Sequence, residues 1–320
     1  MAAAPNRCAT ELVELSQLRA GDLDTLLAEE QLAWRSRLSW DFTASADLVR
    51  RFIAIRALNG FALMAGSHPA GYAYFVSEER KGLIGDLYVV SDWATPENEY
   101  RLLSAILQVL VGTPGVERIE AQLMMLHGPF ARALPMARFG QIYPRIFMLA
   151  DLQETSRLPI LPDSGSISFE TWDQSFEDDA ARVISAAYRE HIDSNINDQY
   201  RSYPGARRFL HNVVQYPGCG SFFSAGSYAA IEGNKLIGLV LASLVASDTG
   251  HITQVCVAPE KKRAGVGYEL VRRSLLAMRK RGCERTSLTV TADNRTALSL
   301  YQRMGFRAVR RFAAYVWEGF

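Results

Sequence analysis

A chain of 320 residues with 48% hydrophobic and 22% charged side chains can bury a sizeable core, and its length predicts two domains. That composition excludes a disordered chain and a small disulfide scaffold. With 35 Lys and Arg against 34 Asp and Glu the formal net charge is +1, too balanced for a protein whose main task is gripping nucleic acid or an anionic membrane, so any anion site has to be local.

From the amino end, 11–18 reads as a strand, and 22–34 and 46–55 carry helical spacing. Apolar runs at 61–64 and 71–76, joined by the turn-rich stretch from Ala65 to Ala70, read as a hairpin. A further β-rich run follows at 83–90 and a helix at 100–111. At 158–168 the residues Pro159, Pro162, Asp163, Ser164, Gly165 and Ser166 interrupt the periodicity. This places a linker there, between domains at 1–157 and 169–320. The second half repeats the order of the first: strand 168–172, helices 178–191 and 205–214, and strands 228–231 and 236–246 around Glu232-Gly233-Asn234-Lys235. Strand 251–257, helix 267–281, strand 285–291, helix 295–304 and β-rich 306–317 complete it. The repeated order predicts an internal duplication.

Four widely spaced cysteines, Cys8, Cys219, Cys256 and Cys283, form no CxxC pair, so reduced thiols and no metal are expected. Residues 1–10 lack the apolar run of a signal peptide, and the longest apolar stretch, 236–246, is well short of a membrane span of ~20 residues. The expectation is a cytoplasmic protein, monomer or homodimer, with neither nucleic acid nor membrane as partner.

The most informative segment runs strand, turn, helix from Val255 through Cys256, Val257, Pro259, Lys261, Lys262, Arg263, Ala264, Gly265, Val266, Gly267 and Tyr268. Pro259 ends the strand, and two glycines leave room at the point where a helix begins, where unpaired amides and the positive dipole end favour a phosphate. The Walker pattern is absent, and the dinucleotide pattern fails because Leu270 stands where its third glycine would be. An ordinary turn with a solvated basic run fits equally well. A second segment, Asn294-Arg295-Thr296-Ala297-Leu298-Ser299-Leu300-Tyr301-Gln302-Arg303-Met304-Gly305-Phe306, reads as a helix capped by Asn294 and closed by Gly305. Asn294 and Tyr301, seven apart, share one face of it, where a phenol could donate a proton or simply pack in the core.

Together the two segments resemble the GNAT superfamily of acetyl-CoA-dependent N-acetyltransferases over about residues 168–320. Lys262 to Gly267 matches the family's Q/R-x-x-G-x-G/A turn with lysine in the first position, and the second segment matches N-x-x-A-x-x-L-Y-x-x-x-G-F throughout. The resemblance implies two α+β GNAT-like domains, each a mixed, mostly antiparallel sheet flanked by helices. It assigns the amides from Arg263 to Tyr268 to the CoA pyrophosphate, with Lys262 beside them, and the strand at Val255, Cys256 and Val257 to the pantetheine arm. Asn294 would contact the co-substrate and Tyr301 would protonate the leaving thiolate. His251, placed by alternation on the face of Thr253, Val255 and Val257, is the candidate base, or else a strand-start histidine in a turn. Asp193, Asn197 and Tyr200 lie in a polar loop where the family often forms the acceptor wall; a solvated helix connection is the other reading.

The acceptor would be a small-molecule amine or a peptide amino group, attacking acetyl-CoA directly in a ternary complex. A non-catalytic acyl-CoA-binding regulator is the alternative. The first half lacks the glycines and basic residues of the turn at 87–100, carries Asp92, Glu97 and Glu99 there, and echoes the second motif only faintly at 130–140. It is expected to be a degenerate copy without a co-substrate site.

Overall fold

The computed structural model describes residues 10–127, 134–160, 165–216, 218 and 220–320, and the chain divides into two units. Cys8, Cys219 and the start of the faint motif echo at 130–133 lie outside the described residues. Unit 1 takes the chain to Arg37, Asp41–Tyr143 and the final Phe312–Phe320; unit 2 takes Leu38–Trp40 and Pro144–Arg311.

Unit 1 contains β1 (Thr10–Glu14), α1 (Asp24–Leu38), α2 (Thr43–Ala54), β2 (Asn59–Ala65), β3 (His68–Glu78), β4 (Lys81–Val89), α3 (Pro96–Gly112) and β5 (Arg118–Gln122). Strands β1 to β4 pair antiparallel in chain order, and β4 pairs parallel with β5 through the α3 crossover. Helix α3 buries Leu102, Leu103, Ile106, Leu107 and Leu110 against Ile84, Leu87 and Ile119. Each such side chain contributes about 1.5–3 kcal/mol.

Unit 2 contains β6 (Gly140–Asp151) from Pro144 on, β7 (Ile167–Thr171), α4 (Glu177–Ala187), α5 (Asp193–Ile196), α6 (Tyr203–Gln215), β8 (Ser221–Phe222), β9 (Tyr228–Glu232), β10 (Lys235–Ala246), β11 (Thr249–Val257), α7 (Val266–Arg281), β12 (Arg285–Thr291), α8 (Arg295–Arg303) and the start of β13 (Arg307–Glu318). Its strands run β6-β12-β11-β10-β9-β7, with β8 added to β10; of these contacts only β11 with β12 is parallel. This is the expected α+β architecture of mixed, mostly antiparallel sheet.

The division expected at 158–168 does not separate the units. Arg145–Asp151 of β6 pair with β12, and Ile146, Met148 and Ala150 are buried with Leu288 and Val290, so residues from 144 on belong to unit 2. The proline-rich stretch instead connects β6 to β7 within that unit. At the other end Ala314–Glu318 of β13 pair with β5, which returns the last residues to unit 1. Neither β5 nor β6 is evident in the sequence: β5 reads RIEAQ, with charges inside it, and Pro144 interrupts β6.

The sheet of unit 2 has two distinct faces. One buries Ile146, Met148, Ile252, Leu288 and Val290 with Leu270, Leu275 and Met278 of α7 and with Tyr301 and Phe306. On the other, Leu239, Leu241 and Cys256 pack with Ala180, Ile184, Ala206 and Leu210 of α4 and α6. Pairing of β10 with β11 passes from Leu241↔Gln254 to Ala242↔Ile252, so Thr253 is the extra residue of a β-bulge. The bulge inverts the alternation, putting Ile252 on the same face as Val255 and Val257. His251 is thereby turned to the face of Gln254 and Cys256, contrary to the alternation read from sequence.

Candidate active site

Strands β11 and β12 pair only from Thr249↔Arg285 to Ile252↔Leu288. Beyond the bulge the far half of β11 pairs with no strand on that side among the described residues, while β12 continues along β6 to Thr291↔Arg145. The Ala258 amide donates to the Ile237 carbonyl, and counting back in alternate antiparallel pairs turns the N–H and C=O of Val257 and Val255 away from β10. An extended ligand arm can therefore pair with this edge.

The edge leads to the turn before α7. Arg263 and Gly265 both take positive φ, 67° and 81°, and Gly265 is the N-cap of α7 with no side chain capping it. The first helical hydrogen bond runs from the Glu269 amide to the Gly265 carbonyl, so the Val266, Gly267 and Tyr268 amides precede the ladder. A Cβ at Gly267 would meet only Val257 Cγ2, at 3.5 Å, so the protein itself leaves that space open. Left-handed residues with successive outward amides make an anion-binding concavity. Lys262 and Arg263 are exposed beside it, whereas Lys261 is held by Glu232 at 2.6 Å on the β9–β10 hairpin. The Tyr268 hydroxyl donates to the Pro159 carbonyl at 2.8 Å. These residues fit a pyrophosphate.

Unit 1 has the corresponding strand-to-helix turn before α3. Thr95 caps α3 by accepting from the Asn98 amide, Pro96 occupies the first turn, and Glu97 and Glu99 place acid at the helix end.

At the opening a polar cluster gathers side chains far apart in sequence. Tyr301 is buried, its ring 5.8 Å from that of Phe306 in an edge contact. Burial, and next the Asp193 carboxylate, push its phenol well above the ordinary tyrosine range. Asp193 accepts from the Thr291 hydroxyl and from Arg145 Nη1 at 3.4 Å, and Arg145 also donates to Thr289 at 3.0 Å. Asn294 accepts from the Ala297 amide at 3.2 Å as N-cap of α8, and its Nδ2 lies 3.4 Å from His191 Nε2. Tyr188 stacks on Tyr200 at 4.5 Å and donates to Gln254 Oε1 at 2.9 Å. Among the described residues no group of His, Cys, Asp or Glu is arranged to hold a metal ion, and no helix is long and apolar enough to cross a membrane.

The structure thus brings together Tyr301, Asn294 and Asp193, and places Val255, Val257 and the turn from Lys262 to Tyr268 along one edge. Asn197 is used locally, accepting from the Gln199 amide at 3.0 Å, and Tyr200 belongs to the aromatic stack under Tyr188. Cys256 faces α4 and α6, and burial pushes its thiol up to about 12. His251 is 4% exposed, its Nδ1 2.9 Å from Ser287 Oγ and its ring 4.9 Å from that of Trp40. Burial pushes its imidazole down to about 3. The ring is therefore neutral at physiological pH and engaged with Ser287 and Trp40. Sequence reasoning missed Arg145, Tyr188 and Gln254; each lies in an element read only for its apolar pattern or not read as an element.

The comparisons with known proteins agree with this geometry. The sequence profile of the acetyltransferase (GNAT) family matches residues 185–306. Over 132 residues, 40% of this chain, it is 26% identical to N-alpha-acetyltransferase 30 of Schizosaccharomyces pombe, spanning 81% of that protein; the human protein of that name is matched over 33% of its length. Shorter matches include the mycothiol acetyltransferase of Corynebacterium jeikeium, 33% identical over 67 residues, 21% of this chain and 19% of that one. A GCN5-related N-acetyltransferase from Sphaerobacter thermophilus shares the fold over 99% of this chain and 97% of its own, with TM-score 0.68 and 16% identity. A tandem GNAT protein from the clavulanic acid biosynthesis pathway does so over 97% and 98%, with TM-score 0.58 and 14% identity. With the phosphate-type turn, the open edge of β11 and the buried tyrosine in one unit, residues 185–306 match the acetyltransferase (GNAT) family, and the chain shares the fold of GNAT structures.

Proposed function

We propose that unit 2 transfers the acetyl group of acetyl-CoA to a primary amine, and that unit 1 is a degenerate copy without a co-substrate site. The observation that carries this is the free edge of β11 running into the uncapped amino end of α7, with Tyr301 buried at the opening. Bound there, acetyl-CoA supplies a thioester whose acyl carbon an amine can attack. The amides from Arg263 to Tyr268 hold the pyrophosphate, the edge orients the pantetheine arm at Val257 and the acyl end at Val255, and Asn294 stands beside it. Tyr301 keeps its proton and offers it to the departing sulfur. Attack is direct, since a thiol held at about 12, as in Cys256, is not the nucleophile of an acyl-enzyme. The name of the N-alpha-acetyltransferase relatives favours an amine of the α-amino class, in a peptide or a small molecule.

Calorimetric titration of acetyl-CoA tests the reading. One site per chain is expected, lost in a Gly265→Glu, Gly267→Glu double variant that keeps its circular dichroism spectrum; absence of binding to the wild-type chain would overturn it. His251→Gln, which retains a partner for Ser287, is expected to keep kcat within about twofold at pH 7–9. A loss of the ~100-fold size of general-base catalysis, recovering at high pH, would restore His251 to that role.

A further inference from the structure

Gln254 is the first residue after the bulge in β11, and 6% of it is exposed. Its Oε1 accepts twice, from the Tyr188 hydroxyl at 2.9 Å and from the Val255 amide at 3.1 Å. Val255 is one of the residues whose N–H faces the open edge. Gln254 Nε2, by contrast, is buried without a hydrogen-bond partner. Exchanging the two ends of the carboxamide would set its NH2 against the Val255 N–H, so the orientation is fixed by the backbone donor. The side chain therefore occupies the edge amide while one of its own ends remains unsatisfied, and an unpaired buried donor weakens its hold there.

Unit 1 contains the same device in a closed form. Pairing of β3 with β4 passes from Tyr74↔Asp86 to Phe75↔Ile84, so Gly85 is the bulged residue and Asp86 is the counterpart of Gln254. Parallel pairing with β5 ends at Ile84↔Ala121, just as pairing of β11 ends at Ile252. Asp86 Oδ1 accepts from the Leu87 amide at 2.7 Å, and the Val90 to Ala70 hydrogen bond shows by the same count that Leu87 faces the open edge. Here the cap is a carboxyl as buried as Gln254 and hydrogen-bonded to Glu30. One sheet position thus carries a locked cap in the unit without an anion-binding turn and a half-satisfied, neutral cap in the unit that has one.

We infer that Gln254 is a displaceable cap on the Val255 amide, which it surrenders to the carbonyl oxygen of the acyl group when the acyl donor binds. Gln254 is then a positioning residue whose release is linked to the thioester and not to the nucleotide portion of the donor. This rests on the acyl-CoA reading of unit 2. No covalent step is involved; one hydrogen-bond acceptor replaces another on the same N–H.

The test compares the affinities of acetyl-CoA and of CoA, which lacks the carbonyl, for the wild-type chain, Gln254→Leu and Gln254→Glu. Loss of one neutral competing hydrogen bond predicts that Gln254→Leu favours acetyl-CoA over CoA by about three- to tenfold more than wild type does. Gln254→Glu, with a stronger acceptor like that of unit 1, should shift the ratio at least tenfold the other way. A ratio unchanged in both variants, with CoA still bound, would overturn the inference while leaving the acyl-CoA site standing. Wild-type chain that binds neither ligand would overturn the site and the inference together.

Discussion

Tyr301→Phe is expected to lower kcat by at least ~100-fold while acetyl-CoA affinity stays within about twofold, which matches the usual size of general-acid catalysis. The substitution removes only the hydroxyl: the ring keeps its burial and its edge contact with Phe306, so α8 and the Asn294 cap stay in place. Burial and the Asp193 carboxylate hold the phenol above its ordinary range, so it stays protonated across the whole neutral and mildly alkaline span. Tyr301 therefore contributes no alkaline limb to the kcat profile up to about pH 9. Asp193→Asn would relieve one of the two causes and bring the phenol back toward its usual value. Initial rates from pH 6 to 10 in wild type and Tyr301→Phe check the role, and equal kcat values in the two would end it.

The turn before α7 and the helix bearing Tyr301 are legible because each is local: glycines at two fixed positions, a cap, and a heptad-like run from Ala297 to Met304 carry their own signal. The bulge at Thr253 is not. Nothing in His-Ile-Thr-Gln-Val-Cys-Val marks which residue is extra, since that depends on where β10 pairs, and one inserted residue moves His251 to the opposite face from Val255. Arg145 was hidden for a related reason. Its strand carries Pro144 and lies before the proline-rich stretch, so a boundary drawn from composition cuts it from the sheet it completes. Gln254 in turn looks like any polar residue in a strand until the open edge beside it is known.

The Glu30–Asp86 pair predicts a stability effect in unit 1 with a definite pH dependence. Glu30 is fully buried on α1; Tyr72 donates to it at 2.9 Å and Trp34 Nε1 at 3.2 Å, and its carboxyl is hydrogen-bonded to Asp86. Tyr74 is the other titratable group facing the pair from β3, while Tyr88 and Ser91 bind the neighbouring Glu29 instead. Burial raises both carboxyls, and the Asp86 charge raises Glu30 further; Asp86 is pushed up to about 6. The folded unit therefore binds protons that the unfolded chain has released. Stability conferred by these protons is fully present below about pH 4 and is lost as pH rises through the folded values, about 6 for Asp86 and likewise raised for Glu30. Glu30→Gln keeps an acceptor for Trp34, presents an NH2 to Asp86 and to the Tyr72 hydroxyl, which can accept in place of donating, and has no proton to lose. Its Tm should match wild type at pH 5 and exceed it by about 5 °C at pH 8, corresponding to about 1–2 kcal/mol. Melting curves of the two proteins over pH 5–9 decide the matter: a constant difference in Tm would mean that the pair does not share a proton, and a lower Tm for Glu30→Gln at pH 8 would mean that its charge is what the unit needs.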